Sequence, residues 1–352
     1  MTPLAQILIA QITEAGPMTL AEYMAQCLMH PQHGYYATRD PLGTAGDFIT
    51  APEISQMFGE LLGLALAQAW LDQGAPAPFA LAELGPGRGT LMADVLRATR
   101  GVPGFHAAAK VHLVEASPTL RAAQAERVES AAWHDTVQTL PDLPLFLVAN
   151  EFFDALPIRQ AQRDGAHWRE RMVGRKGDRL IPGLSGPTAM PPLAHRVADT
   201  QEGDIVEFSP AAAQIANHIG GQIAERGGAA LIVDYGDWRA QGDTFQALRA
   251  HAPADPFDAP GMADLTAHVD FEALALAAAP ARHTRITAQG VFLERLGITP
   301  RARKLAGTLA GAALEAHVAA HRRLTHPSEM GTLFKVMGLY PEGAAPPPGL
   351  SE

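Results

Sequence analysis

Cysteine is nearly absent from this chain: its 352 residues include one, Cys27. No internal disulfide can form and no thiolate cluster can hold zinc, so a reduced compartment suits the protein. Cations are also scarce. The 27 Lys and Arg face 37 Asp and Glu, a formal net charge of −10. That balance excludes broad, sequence-independent binding to nucleic acid, which needs a basic surface. No apolar run reaches membrane-spanning length. The opening "MTPLAQILIAQITEAG" has no positive residue before its apolar run, as a signal peptide would, and lacks the arginines of a mitochondrial presequence. These absences lead to the expectation of a bacterial cytoplasmic protein that neither binds nucleic acid nor inserts into a membrane. The 14 histidines show no metalloprotease spacing, so no metal is expected.

Apolar residues make up 47% of the chain and charged residues 18%, enough for a sizeable core in one large domain with additions, or in two domains. Residues 1–30 carry helical periodicity, and Thr19 with Glu22 reads as a capping box. The Gly/Pro-rich stretch "HPQHGYYATRDPLGTAGDFITAPE" is too long for an ordinary connection, and a helix over 54–73 follows it. Residues 1–75 are therefore expected to form a helical cap with a lid over residues 30–60.

From Phe79 onward, apolar strands alternate with helical segments. "FALAEL", "AKVHLVEA", a weak strand near Ala131–Trp133, "LPLFLVANE", "GAALIVDYGD", 284–288 and "TLFKVMGL" make seven strands. Such alternation predicts an α/β fold with a doubly wound, Rossmann-like, seven-stranded sheet across 76–157 and 209–338. Between them, 158–208 has polar alternation and the turn Asp164-Gly165, and reads as an inserted β-rich arm. The arm and the loop 237–263 are expected docking surfaces. The end, 339–352, with "PEGAAPPPGLSE", is expected to be a flexible tail.

The stretch "LAELGPGRGTLMADVLR" stops a strand at Glu83 and enters a helix through Gly85, Gly87 and Gly89. It lacks the Gly-Lys-Ser/Thr of a P-loop. Its third glycine comes one residue too early for the dinucleotide pattern, and Glu83 would repel a pyrophosphate. Glu83 would instead attract the cationic amino-acid portion of S-adenosyl-L-methionine (SAM). Glu115, ending the second strand, can accept both ribose hydroxyls, and Asp135, past the third, can accept the adenine amino group. Each acid alone can also be a strand cap or a turn residue. In order and at this spacing they point to SAM as cofactor, with S-adenosyl-L-homocysteine as product.

The chain resembles the MidA-type class I SAM-dependent methyltransferases. The resemblance rests on "GYYATRDPLGTAGDFITAPEISQMFGELLG", "ELGPGRGTLMADVLR", "LVEASPTLRAAQ", "NEFFDALPIRQ", "LIVDYG", "DLTAHVDF", "QGVFLERLGI" and "MGTLFKVM", which follow in order over nearly the whole chain. It implies the seven-stranded methyltransferase fold, SAM as donor and a protein arginine as acceptor. The family's mitochondrial relative is an arginine methyltransferase that assists assembly of respiratory complex I. There the acceptor lies on the hydrogenase-like, quinone-site subunit, and the product is symmetric dimethylarginine.

Methyl transfer from a sulfonium is an in-line displacement, so the protein has to orient the acceptor, exclude water and stabilise charge. The fourth strand ends at Asn150, beside the expected cofactor, and continues as Glu151-Phe152-Phe153-Asp154. Glu151 and Asp154 can grip a guanidinium, and Phe152 or Phe153 can wall it. The alternative is that Glu151 caps a helix and the phenylalanines are core. Asp47, Thr50 and Glu53 precede a helix. Glu53 is either a third carboxylate at the site or a helix-start residue favoured by the dipole. Tyr35 and Tyr36 are candidates for the acceptor channel, and His268 could reach the site, while Asp270 fits a helix cap. Two rival readings remain open: a small-molecule or O-methyltransferase, and an assembly chaperone that binds SAM without catalysis.

Overall fold

The structure, a computed structural model, describes residues 1–38 and 50–352. Two helices open the chain, α1 (Pro3–Ala15) and α2 (Leu20–Met29). The capping box at α2 is formed: Thr19 Oγ1 accepts from the Glu22 N–H, and the Glu22 carboxylate accepts from the Thr19 N–H at 2.7 Å. After a turn of helix at Ala51–Ile54, the chain breaks at Ser55, which caps α3 (Gln56–Asp72).

The central sheet follows. Its strands are β1 (Phe79–Leu84), β2 (Ala109–Val114), β3 (Ala132–His134) and β4 (Leu145–Asn150), with helices α4 (Thr90–Thr99) and α5 (Pro118–Ala125) between them. The arm contributes β5 (Arg159–Asp164), β6 (His167–Lys176), β7 (Arg179–Leu184) and β8 (Ile205–Phe208). The main sheet resumes with α6 (Pro210–Arg226), β9 (Gly228–Asp237) and α7 (Phe271–Ala277). It ends with α8 (Gln289–Arg295), α9 (Ile298–Ala306), α10 (Gly311–Thr325) and β10 (Phe334–Tyr340).

Along the sheet the order is β3-β2-β1-β4-β9-β10, closed by the two-residue strand Arg282–His283. The strands from β3 to β9 run parallel and β10 runs antiparallel to β9. Seven strands form this path. Two more two-residue strands, Val269–Asp270 on β9 and Thr287–Ala288 on β10, bring the sheet to nine, so the seven-stranded expectation falls short by these short flanking pieces. The strand expected at 284–288 is split into Arg282–His283 and Thr287–Ala288.

β1 and β4 are buried along their whole length, as strands covered on both faces must be. One core cluster holds Phe58, Leu62 and Trp70 of α3 against Phe79, Leu81 and Phe146. The other holds Ala216, Ile219 and Ile223 of α6 and Phe271 of α7 against Ala80, Leu147 and Ile232. The chain order reverses between β1 and β4. In open α/β sheets that switch point opens a crevice at the carboxyl ends of the strands.

The arm is not a free-standing hairpin. Met18–Thr19 pairs antiparallel with Val173 and Met172 of β6 and joins the arm's sheet. A third cluster unites α1 and α2 (Leu4, Leu8, Leu20, Tyr23, Leu28) with Ile158, Val173 and Leu180 of the arm and with Ala247 and Leu265. The last two belong to a small antiparallel sheet, Gln246–Arg249, Ala252–Ala254 and Asp264–Thr266, whose first two strands lie inside 237–263, the segment expected to be loop. The expected flexible tail is also corrected. Leu350 packs on the main core, Ser351 accepts the Arg285 N–H at 3.0 Å, and Gly349 accepts from Arg295 Nη1 at 3.0 Å. No helix among the described residues is long and apolar enough to cross a membrane.

Candidate active site

A cavity of about 450 Å³ opens at the switch point. The glycine loop forms its floor. Gly85, Gly87 and Gly89 all have positive φ, at 59°, 53° and 80°, the left-handed region that side chains with a Cβ avoid. At Gly85 there is a second constraint: a Cβ would lie 2.9 Å from Phe152 Cδ2. Gly89 is the N-cap of α4 and does not line the cavity, so its role is to set the turn.

Parallel register brings the acids of separate strands to one edge. Glu83 lies opposite Leu113 and Val148, and Asn150 lies opposite Val233. Glu83 lines the cavity yet is 3% exposed, and its Oε2 makes no hydrogen bond. Burial pushes its carboxyl up to about 8, opposed by the Met92 N–H and reinforced by the charge of Glu115. Asn150 Oδ1 is likewise buried without a partner. Glu115 is held in place: the Ser117 N–H donates to Oε1 at 2.7 Å and Gln124 Nε2 to Oε2 at 3.3 Å. Asp135 stands at the rim with its side chain 80% exposed and takes the Arg121 guanidinium at 2.6 Å. An ion pair therefore engages the acid expected for an adenine contact. Leu28, Met29, Leu120, Val137 and Ile215 supply apolar wall.

At the other end, β4 turns sharply. Glu151 has φ +50°, unusual for a residue with a side chain and common where function demands it. The turn carries its carboxylate into the cavity, where Oε1 accepts from the Ala51 N–H at 3.1 Å and from Asn150 Nδ2 at 3.3 Å. Burial raises its pKa to about 8, helped by the charge of Asp154 and opposed by those two donors and by Arg323. Glu53 also faces the cavity and accepts from Thr90 Oγ1 at 2.5 Å, while Thr50 and Pro52 line the wall beside it. Glu53 thus sits in the first turn at Ala51–Ile54 and in the cavity wall at once.

Several expected site residues lie elsewhere. Asp154 is buried behind the wall, beside Tyr235, whose hydroxyl lowers a pKa that burial raises to about 6. Only Glu151 of the expected pair reaches the cavity. Phe152 lines it, whereas Phe153 points the other way, into the core cluster around α6. Tyr36 lines the cavity and donates to Asp264 Oδ1 at 2.8 Å, whereas Tyr35 is fully buried in the cap cluster. His268 lines a separate cavity of about 40 Å³ and stacks edge-on with Tyr235. Asp270 caps α7, accepting from the Ala273 N–H at 2.9 Å. Asp47 lies outside the described residues.

Three further groups complete the acidic end. Asp234 and Tyr235 belong to "LIVDYG" and Asp264 to "DLTAHVDF", and none of these three residues carried an assigned role in the sequence. Asp234 is fully buried, and burial followed by the charges of Asp154 and Glu151 drives its pKa well up. Tyr36 and Tyr235 are both raised as phenols by burial and by neighbouring carboxylates, so they stay protonated and can donate. The site is therefore a cavity with one unpartnered oxygen of the Glu83 carboxylate on its wall and a cluster of buried acids at one end. Such a cluster calls for a cation or for protons.

Residues 61–288 match the family described as "Putative S-adenosyl-L-methionine-dependent methyltransferase". The mitochondrial protein arginine methyltransferase NDUFAF7 of Homo sapiens is 36% identical over 371 residues, covering 97% of this chain and 84% of that protein. The homolog of Drosophila melanogaster is 35% identical over 371 residues, covering 96% and 85%. A protein of Burkholderia thailandensis, whose crystal structure contains S-adenosyl-homocysteine, superposes with a TM-score of 0.83 at 30% identity, over 98% of this chain and 93% of that one.

Proposed function

This chain belongs to the family of S-adenosyl-L-methionine-dependent methyltransferases, and from that premise we propose that it methylates an arginine on a protein partner. The observation that carries the proposal is the buried acidic end of the cavity. A guanidinium, with an unperturbed pKa above about 12, is the side chain that best satisfies carboxylates held out of water. The names of the mitochondrial relatives, protein arginine methyltransferases, support the same acceptor class.

The residues fit the cofactor. Two buried oxygens without partners, Glu83 Oε2 and Asn150 Oδ1, suit the ammonium of its amino-acid portion. Glu115 is the acceptor for the ribose hydroxyls, and Asp135 with Arg121 frames the adenine end. The glycine turn keeps side chains clear of the cavity floor. The bound cofactor supplies an electrophilic methyl group. Glu151 accepts the guanidinium N–H bonds and draws positive charge away from the attacking nitrogen, with Asp154 behind it reinforcing the negative field. Glu53 closes the cation's other side, and Tyr36 and Phe152 wall the approach.

The partner we name is the hydrogenase-like, quinone-site subunit of respiratory complex I, the acceptor that the resemblance implies, met in the cytoplasm of a bacterium. The arm, already tied to the cap by Met18–Thr19, is the docking surface we assign to it. The test is incubation of the protein with labelled SAM and a lysate from a strain lacking it. The expected result is a labelled protein band whose methyl group maps to arginine. Label on a small molecule alone would replace the acceptor, and SAM binding without label on anything would favour a non-catalytic assembly role.

A further inference from the structure

One side chain gathers the backbone amides in the middle of the turn that presents Glu151. Asp234, within β9, accepts the Phe153 N–H at 3.0 Å and the Asp154 N–H at 3.2 Å on Oδ2, and the Tyr235 N–H at 3.0 Å on Oδ1. Three backbone donors thus converge on one fully buried carboxylate. Two of them belong to Phe153 and Asp154, the second and third residues after the left-handed Glu151. Backbone bonds hold the two ends of the turn. The Glu151 N–H continues the sheet to Val233 O at 3.0 Å, and Asp154 O accepts the Ala267 N–H at 3.0 Å.

A carboxylate has a conformational reason to be there. A left-handed residue at the end of a strand is unfavourable for a residue with a side chain and persists only where its surroundings over-determine it. After the kink, the amides of Phe153 and Asp154 point into the protein, where an unpaired N–H is costly. An acceptor that takes both at one oxygen satisfies them and fixes the kink together. A neutral amide at the same place would present one oxygen and one N–H, and the N–H would face a backbone donor.

We infer that Asp234 is a positioning residue for methyl transfer, its carboxylate clamping the Glu151–Asp154 turn so that the Glu151 side chain enters the cavity. The inference rests on the proposed role of Glu151 toward the acceptor. Asp234 itself lies outside the cavity walls and acts through the backbone.

The test compares the full-length wild type with Asp234→Asn and Asp234→Glu. Asp234→Asn removes one acceptor oxygen and sets an N–H against a backbone donor. Asp234→Glu keeps the carboxyl group but displaces the oxygens, and serves if the first variant folds poorly. Three measurements are made: S-adenosyl-homocysteine affinity by calorimetry, hydrogen exchange over 150–156, and kcat and acceptor KM for methyl transfer to the arginine substrate. Expected are an affinity within about threefold of wild type and exchange over 150–156 at least tenfold faster. For turnover, kcat should drop at least tenfold with little change in the acceptor KM. That split, a lower kcat at unchanged acceptor KM and cofactor affinity, is the readout that a merely structural role would not give. Unchanged exchange, or unchanged kcat, overturns the inference, as does loss of cofactor affinity in step with turnover. If the wild type methylates no protein arginine, the functional reading fails, and the exchange and affinity results still decide the clamp.

Discussion

Glu151 is the residue on which the proposed chemistry turns. Replacing it by Gln preserves its size and one acceptor oxygen and removes its charge. A guanidinium held by that charge then loses a buried ionic partner, a change worth about 3–5 kcal/mol when one member of a buried pair is removed. At tenfold per about 1.4 kcal/mol, turnover should fall by at least two orders of magnitude. SAM affinity should change little, since Glu83 and Glu115 lie on other strands. Asp154→Asn should act in the same direction but more mildly, because that carboxyl sits behind the wall. Full turnover in Glu151→Gln, or loss of SAM binding, would remove the residue from its assigned place. Glu83, Glu115, Asn150 and Glu151 were legible in the sequence because polar residues ending apolar strands gather at one edge of a parallel sheet. Which of two adjacent aromatics faces the cavity was not legible. Phe152 and Phe153, like Tyr35 and Tyr36, are sorted by the local turn, which composition does not encode. Asp234 and Asp264 escaped notice because their partners, the amides of Phe153 and Asp154 and the Tyr36 hydroxyl, lie far away along the chain.

Among the elements, the parallel strands could be read directly, since strands buried on both faces must be continuous apolar runs. The pieces that were missed are short. The sheet of Gln246–Arg249, Ala252–Ala254 and Asp264–Thr266 has strands of three or four residues, too few to show alternation. The packed tail carries its anchoring in backbone carbonyls and one leucine, Leu350, amid prolines that by themselves suggest fraying. The N-terminal segment was read as a lid, and its described parts flank the cavity on both sides of residues 39–49. Leu28, Met29 and Tyr36 line one wall, and Thr50, Pro52 and Glu53 another. Closure of such a segment on ligand excludes water from the transfer step. Saturating SAM should therefore slow hydrogen exchange over 30–38 and 50–60, with the Ala51 N–H bonded to Glu151 among the most protected amides. Equal exchange with and without SAM would show that the segment is no lid.

At the scale of the whole molecule, the site opposes the stability of the fold. Glu83 and Glu151 have folded pKa values near 8, and Asp154 one near 6, all raised chiefly by burial from ordinary carboxylate values. The folded protein therefore keeps protons that the unfolded chain has already released. Stability changes with pH in proportion to the protons bound by the unfolded state minus those bound by the folded state. That difference is negative here, so stability falls as pH rises through the folded pKa values. His112 acts in the opposite sense: burial lowers it to about 4, and it favours the folded state progressively as pH climbs to the imidazole's unfolded value near 6.5. Above that value the histidine contribution is complete and the carboxyls act alone. The ligand-free protein should thus lose stability between pH 6.5 and about 8.5, read as a falling urea midpoint. Glu83→Gln should flatten that fall, because a neutral amide has no proton to lose. Saturating S-adenosyl-homocysteine should flatten it as well, because an ammonium beside Glu83 stabilises the carboxylate. A midpoint that does not change over this range, or an equal slope in Glu83→Gln, would show that Glu83 is already ionised in the ligand-free protein and would undo its assignment as the buried acid awaiting a cation.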